Sequence, residues 1–165
     1  MTTYSTAFED VAFTYTYDEL MTEINADSAY IAKSMGVSAG VDGVASSLPF
    51  IVTSDEETFV RATLSEALNV VLNRMSAYLA ESRPALVGTY VVRLLLPERR
   101  KEQYDSLISN ELRRALVTYV LVRWYENRLP DVAQRQQQLH NAAISTAMHD
   151  IFMLYGGVRR KSCFY

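Results

Sequence analysis

The chain has 165 residues, 49% of them hydrophobic and 21% charged, with a formal net charge of −3. That length fits one domain burying roughly 70% of the surface its unfolded chain exposes, so a core can form without disulfides or a metal. The single cysteine, Cys163, excludes an intramolecular disulfide and a cysteine-based zinc site.

The opening MTTYSTAFED has neither the basic nor the apolar region of a secretory signal. The longest apolar stretch, Ala115 to Tyr125, is interrupted by Thr118 and Arg123 and falls short of the ~20 residues a membrane-spanning helix needs. An intracellular protein without a membrane partner is expected. The net charge hides an asymmetry. Residues 1–60 carry ten acidic groups and one basic group, a sum of −9, whereas residues 61–165 carry nine acidic and fifteen basic groups, a sum of +6. Either the two parts neutralise each other within one fold, or opposite ends of neighbouring molecules attract.

In chain order, residues 7–15 are rich in aromatic and β-branched side chains and read as a short strand or ordered arm. Thr16 with Glu19 three positions on forms a capping-box pattern. It predicts a first helix from Tyr17 to about Met35, with Leu20, Ile24 and Ile31 near one face and Asp18, Glu23 and Asp27 solvated. Residues 36–54 hold three glycines, one proline and a single charged residue, Asp42, and read as a long loop of the functional or flexible kind. Ser54 with Glu57 is a second capping-box pattern, predicting a helix from Asp55 to about Ser82. Its apolar stripe runs from Val60 through Leu64, Ala67, Leu68, Val71, Met75 and Tyr78 to Leu79. Pro84 and Gly88 end it.

Residues 89–96, TYVVRLLL, predict a strand that pairs with 7–15, and two strands need helices to cover them. Pro97-Glu98 predicts the start of a third helix reaching about Leu129. It is apolar nearly all round over 115–125, which marks a central helix or an interface. Pro130-Asp131 opens a fourth helix. Gly156 and Gly157 end it, and a basic, aromatic tail occupies 157–165. The fold class is therefore mainly α: about four helices in a bundle with a minor two-stranded β element.

The motifs that could carry chemistry are weak. Gly36-Val37-Ser38-Ala39-Gly40 matches a nucleophile elbow, but no strand precedes it and no alternating β/α pattern follows to carry a triad. A serine- and glycine-rich loop accounts for it. His140 and His149 share one helix nine residues apart, half a turn out of phase, and cannot hold one metal between them. Gln137 and Thr146 stand where a di-iron bundle would need glutamates. Glu98, Glu102 and Asp105 fall on one helix face beside Arg99, Arg100 and Lys101, which makes them solvated ion-pair partners. The basic groups, including Arg113-Arg114 and Arg159-Arg160-Lys161, sit in a chain of pI near 5.4, so direct nucleic-acid binding is not expected. No catalytic residue, cofactor or metal site is expected.

The stretch ALVTYVLVRWYENRLPDVAQRQQQ (115–138) followed by GGVRRKSCFY (156–165) resembles small helical proteins encoded in prophage structural gene clusters of gut Bacteroidetes. The shared elements are Tyr119, Leu121, Arg123 and Trp124, then Arg159, Arg160, Lys161 and Phe164. The likeness covers the part of the chain from about residue 89. It implies a phage or prophage head–tail connector, that is, a structural assembly subunit that forms or docks on a ring. It also implies a homo-oligomer or other phage structural proteins as partners, and a location in the bacterial host cytoplasm or the virion. Tyr119, Trp124, Arg159, Arg160 and Lys161 are the candidate interface residues. Two other readings stay open: a small helical binding or regulatory module of the host, and an enzyme using Ser38 or a histidine.

Overall fold

The computed structural model describes residues 7–35 and 50–156, apart from Ser82 and Pro84. Two antiparallel strands, β1 (Phe8–Thr16) and β2 (Thr89–Pro97), pair without a break from Phe8 opposite Pro97 to Thr16 opposite Thr89. Alternation sends Phe13 and Tyr15 of β1, and Tyr90, Val92, Leu94 and Leu96 of β2, to the same buried face. Among the described residues the α-helices are α1 (Tyr17–Ser34), α2 (Glu57–Arg74), α3 (Glu102–Tyr125) and α4 (Pro130–Leu154). The molecule is mainly α with a minor β element, as its sequence patterning implies.

The predicted cap at the head of α1 is present. Thr16 Oγ1 accepts from the Glu19 amide at 3.3 Å, and the Glu19 carboxylate accepts from the Thr16 amide at 3.1 Å. Both bonds satisfy amides that a helix start leaves without partners. At α2 the sequence reading needs correcting at both ends. The cap is not Ser54 with Glu57 but Thr53 with Glu56, whose carboxylate accepts from the Thr53 amide at 2.9 Å. A single 3-10 turn, Ser54–Glu56, then leads into the helix.

Nor does α2 reach Ser82. It stops at Arg74, and a second 3-10 turn covers Ser76–Tyr78. The reason is sheet pairing: Leu79 bridges Leu94, and the Ala80 amide donates to the Arg93 carbonyl at 3.0 Å. The outer edge of β2 captures the chain and pulls it out of helical geometry, although its apolar spacing continues.

The third helix is likewise shorter than its sequence suggests. Pro97 ends β2 rather than starting a helix, and the Glu98 amide donates to the Ala7 carbonyl at 2.9 Å. Arg100 then ties the turn: it donates to Asp105 at 2.6 Å, Glu9 at 3.0 Å and the Pro97 carbonyl at 3.1 Å. At the other end the Tyr125 carbonyl accepts from both Arg128 and Leu129, closing a tight turn four residues short of the expected boundary.

The bundle is built around α3. Ile108, Leu112, Ala115, Leu116, Leu121 and Tyr125 of this helix are buried in a core shared with the sheet, α1, α2 and α4. The Tyr15 hydroxyl reaches from the sheet to the Ser109 carbonyl at 2.8 Å. Burial pushes that phenol up to about 12. After the short link following Tyr125, α4 runs back along α3. His140 lies beside Ala115, and Ala143, Ile144, Ala147 and Ile151 complete its buried stripe. Gly156 ends this helix at φ 82, a left-handed conformation that a side chain would strain.

Candidate functional site: a groove walled by three helices

Where α1, α3 and α4 diverge they leave a groove of about 700 Å³. Each helix contributes one face at the three-to-four residue spacing that brings side chains into line. From α1 come Glu23, Asp27, Ile31 and Ser34; from α3, Asn110, Arg113, Arg114 and Val117; from α4, Val132, Arg135, Gln136 and Leu139. Ile31, Val117, Val132 and Leu139 supply apolar surface. Three arginines and the carboxylates of Glu23, Asp27 and Glu111 supply charge of both signs.

Two of the carboxylates feel desolvation. Burial raises the Glu23 carboxyl above its ordinary range, against a lowering by Arg113 and with a further rise from Asp27. Desolvation also raises Asp27, at the more open rim, against Arg114. Among the described residues, Arg113 has a buried Nε with no hydrogen-bond partner, and its guanidinium lies 5.9 Å from the Tyr15 ring centroid. Tyr30 stands at the rim and is 74% exposed. The unpartnered Arg113 Nε and the two partly desolvated carboxylates are suited to receiving polar groups of a protein segment, while the apolar walls take its side chains.

Sequence reasoning placed the site elsewhere. Trp124 belongs to the core: it is 5% exposed and its indole N–H donates to the Phe50 carbonyl at 3.2 Å. Arg128 lies 3.8 Å over its ring and Phe59 packs 5.6 Å away. Tyr119 is half-buried against the His140 ring at 5.3 Å. Neither residue lines the groove. Arg159, Arg160, Lys161, Ser38 and Cys163 lie outside the described residues.

Asp105 pairs with Arg100 as read, but the pair is not solvated: the Arg100 side chain is 9% exposed. Glu23, read as solvated, is half-buried in the groove, whereas Asp27 is exposed at its rim as read. The arginines that act on them, Arg113 and Arg114, come from α3, far along the chain, and no local pattern signals that meeting.

The two histidines do point to opposite sides of α4. His140 is 2% exposed and His149 is exposed. His140 Nδ1 lies 2.8 Å from the Ala115 carbonyl, so that nitrogen carries the proton and donates. Burial lowers its pKa below 6.5; the carbonyl bond opposes the shift and Arg74 adds to it. With the folded pKa depressed, the unfolded chain binds the proton first as pH falls. Stability is therefore fully present above about 6.5 and declines as pH drops through the folded value. His140→Gln is expected to flatten the denaturation midpoint between pH 7 and pH 5 relative to the parent. An unchanged slope would contradict the buried neutral imidazole.

No helix of the described residues is long and apolar enough to cross a membrane. No group of three or more metal-ligating side chains occurs among them. No family model matches the chain, and neither does any curated protein or solved structure compared with it.

Proposed function

We propose that this chain is a non-enzymatic structural assembly subunit of the kind found at phage and prophage head–tail junctions, and that it docks a partner protein segment in the α1–α3–α4 groove. The observation that carries the docking role is the groove's lining: apolar side chains flanked by arginines and by two carboxylates raised by desolvation. The resemblance of 115–138 and 156–165 to prophage connector-like proteins supplies the setting.

The test is co-sedimentation with purified head–tail junction proteins encoded beside this chain. Arg114→Glu combined with Arg135→Glu changes two exposed side chains of the groove. It should leave the helical content intact and weaken binding at least about tenfold, because reversed charges meet the partner's complementary groups. No complex with any junction protein would overturn the reading. Full binding by the double variant would remove the groove from it.

A specific observation favours the second reading, a host binding module that works alone. The acidic N-terminal part is tied to the basic remainder inside the chain, through Asp10 with Arg93 at 2.6 Å and Glu9 with Arg100 at 3.0 Å. Charge held in this way is not available to link neighbouring subunits. Binding of a host protein, with none to junction proteins, would select this reading.

A further inference from the structure

The two edges of the sheet are treated differently. The Glu98 amide donates to Ala7 and the Tyr17 amide to Gly88. With the unbroken register, the odd-numbered residues of β1 therefore turn their backbone groups toward β2. Phe8, Asp10, Ala12, Thr14 and Thr16 turn theirs outward. On β2 part of the outward edge is covered: the Arg93 carbonyl accepts from the Ala80 amide, and the Leu95 carbonyl accepts from the Tyr155 hydroxyl. On β1, Glu19 occupies the Thr16 amide. Among the described residues, the main-chain groups of Phe8, Asp10, Ala12 and Thr14 have no partner outside the strand pair.

An open edge of this length is a template for another strand, and proteins usually guard such edges with proline, lysine, a bulge or a short strand. Nine residues, FEDVAFTYT, contain no proline and no lysine, and the register runs through without a bulge. Its two carboxylates are neutralised within the chain, Asp10 by Arg93 with Arg83 at 4.0 Å, and Glu9 by Arg100. A second β1 laid antiparallel about Ala12 sets Asp10 opposite Thr14 of the second copy and Ala12 opposite Ala12 of the second copy. No like charges face each other, and the central side chain, Ala12, is small.

We propose that β1 is an interface for a second copy of this chain, joined edge to edge by an antiparallel β1–β1 pairing into one four-stranded sheet with a two-fold axis. The pairing supplies acceptors and donors for backbone groups that have no partner among the described residues. It deepens the assembly reading by naming one contact between subunits.

Amide hydrogen exchange on the full chain across a concentration series tests it, together with the mass of two variants. Ala12→Pro removes an outward N–H and no bond to β2. Thr14→Lys leaves the backbone alone and puts a charge on an exposed edge position. The Ala12 and Thr14 amides should exchange at least about tenfold more slowly in concentrated than in dilute solution, and each variant should weaken dimerisation by about tenfold or more.

Exchange that is independent of concentration, or dimers that Thr14→Lys leaves as stable as the parent, would overturn the proposal. A chain that stays monomeric yet binds junction proteins would overturn this contact and leave the docking role standing. Dimers through β1 without any junction complex would do the reverse.

Discussion

Replacing Trp124 with alanine is expected to destabilise the fold by about 3–5 kcal/mol, as for a large aromatic removed from a packed interior. Three losses combine at this position. The indole is 5% exposed, so most of its surface leaves water on folding. Its N–H donates to the Phe50 carbonyl at 3.2 Å, an acceptor it shares with the Tyr125 hydroxyl at 2.7 Å. Phe59 and the Arg128 guanidinium also lose the ring they pack on.

Phe50 lies a few residues ahead of α2, so its two bonds to α3 hold that entry segment in place. Urea denaturation followed by circular dichroism measures the loss. In the parent protein, iodide should quench Trp124 fluorescence only weakly. A variant less than 1 kcal/mol weaker would contradict the packing described.

Ser28→Ala should cost about 1–3 kcal/mol, although it removes only one oxygen. Ser28 is fully buried in α1; its hydroxyl donates to the Asn25 carbonyl at 2.9 Å and accepts from the Val52 amide at 3.0 Å. Asn25 completes the clasp, donating to the Val52 carbonyl at 2.7 Å. Val52 is itself fully buried. Without the hydroxyl its N–H has no acceptor and no access to water, and an orphaned buried donor carries its whole desolvation penalty. The same denaturation series measures this, and a difference within 0.5 kcal/mol would mean that the Val52 amide finds another acceptor.

Both predictions concern contacts that join segments far apart in the chain, and that is where sequence reasoning lost its hold. Local signals were legible. Thr16 with Glu19 marked the head of α1, Pro130 marked α4, and the strand-forming composition of 89–96 marked β2 and its pairing with the first strand. The apolar run over 115–125 marked the central helix.

Boundaries set by tertiary pairing were not legible. The heptad-like spacing through Met75, Tyr78 and Leu79 continues past the point where β2 captures Leu79 and Ala80. Pro97-Glu98 has the composition of a helix start, but Pro97 is held opposite Phe8. The groove was hidden for a related reason. Glu23 and Asp27 have the pattern of a solvated face, and only the meeting of α1 with Arg113, Arg114 and Arg135 makes that face a wall. The charge asymmetry was visible in the sequence, but its resolution was not. Pairs such as Asp10 with Arg93 need the strand register before they can be drawn.

Assembly is the central claim, and sedimentation equilibrium tests it most directly. The chain alone should rise from 18.7 kDa toward twice that mass as its concentration increases, and rise further with head–tail junction proteins present. Molar salt should change the chain's own association little. The acidic groups beside β1 are paired within the subunit, and main-chain hydrogen bonds are not screened as exposed charges are. A mass of 18.7 kDa at every concentration, with and without those proteins, would contradict the account.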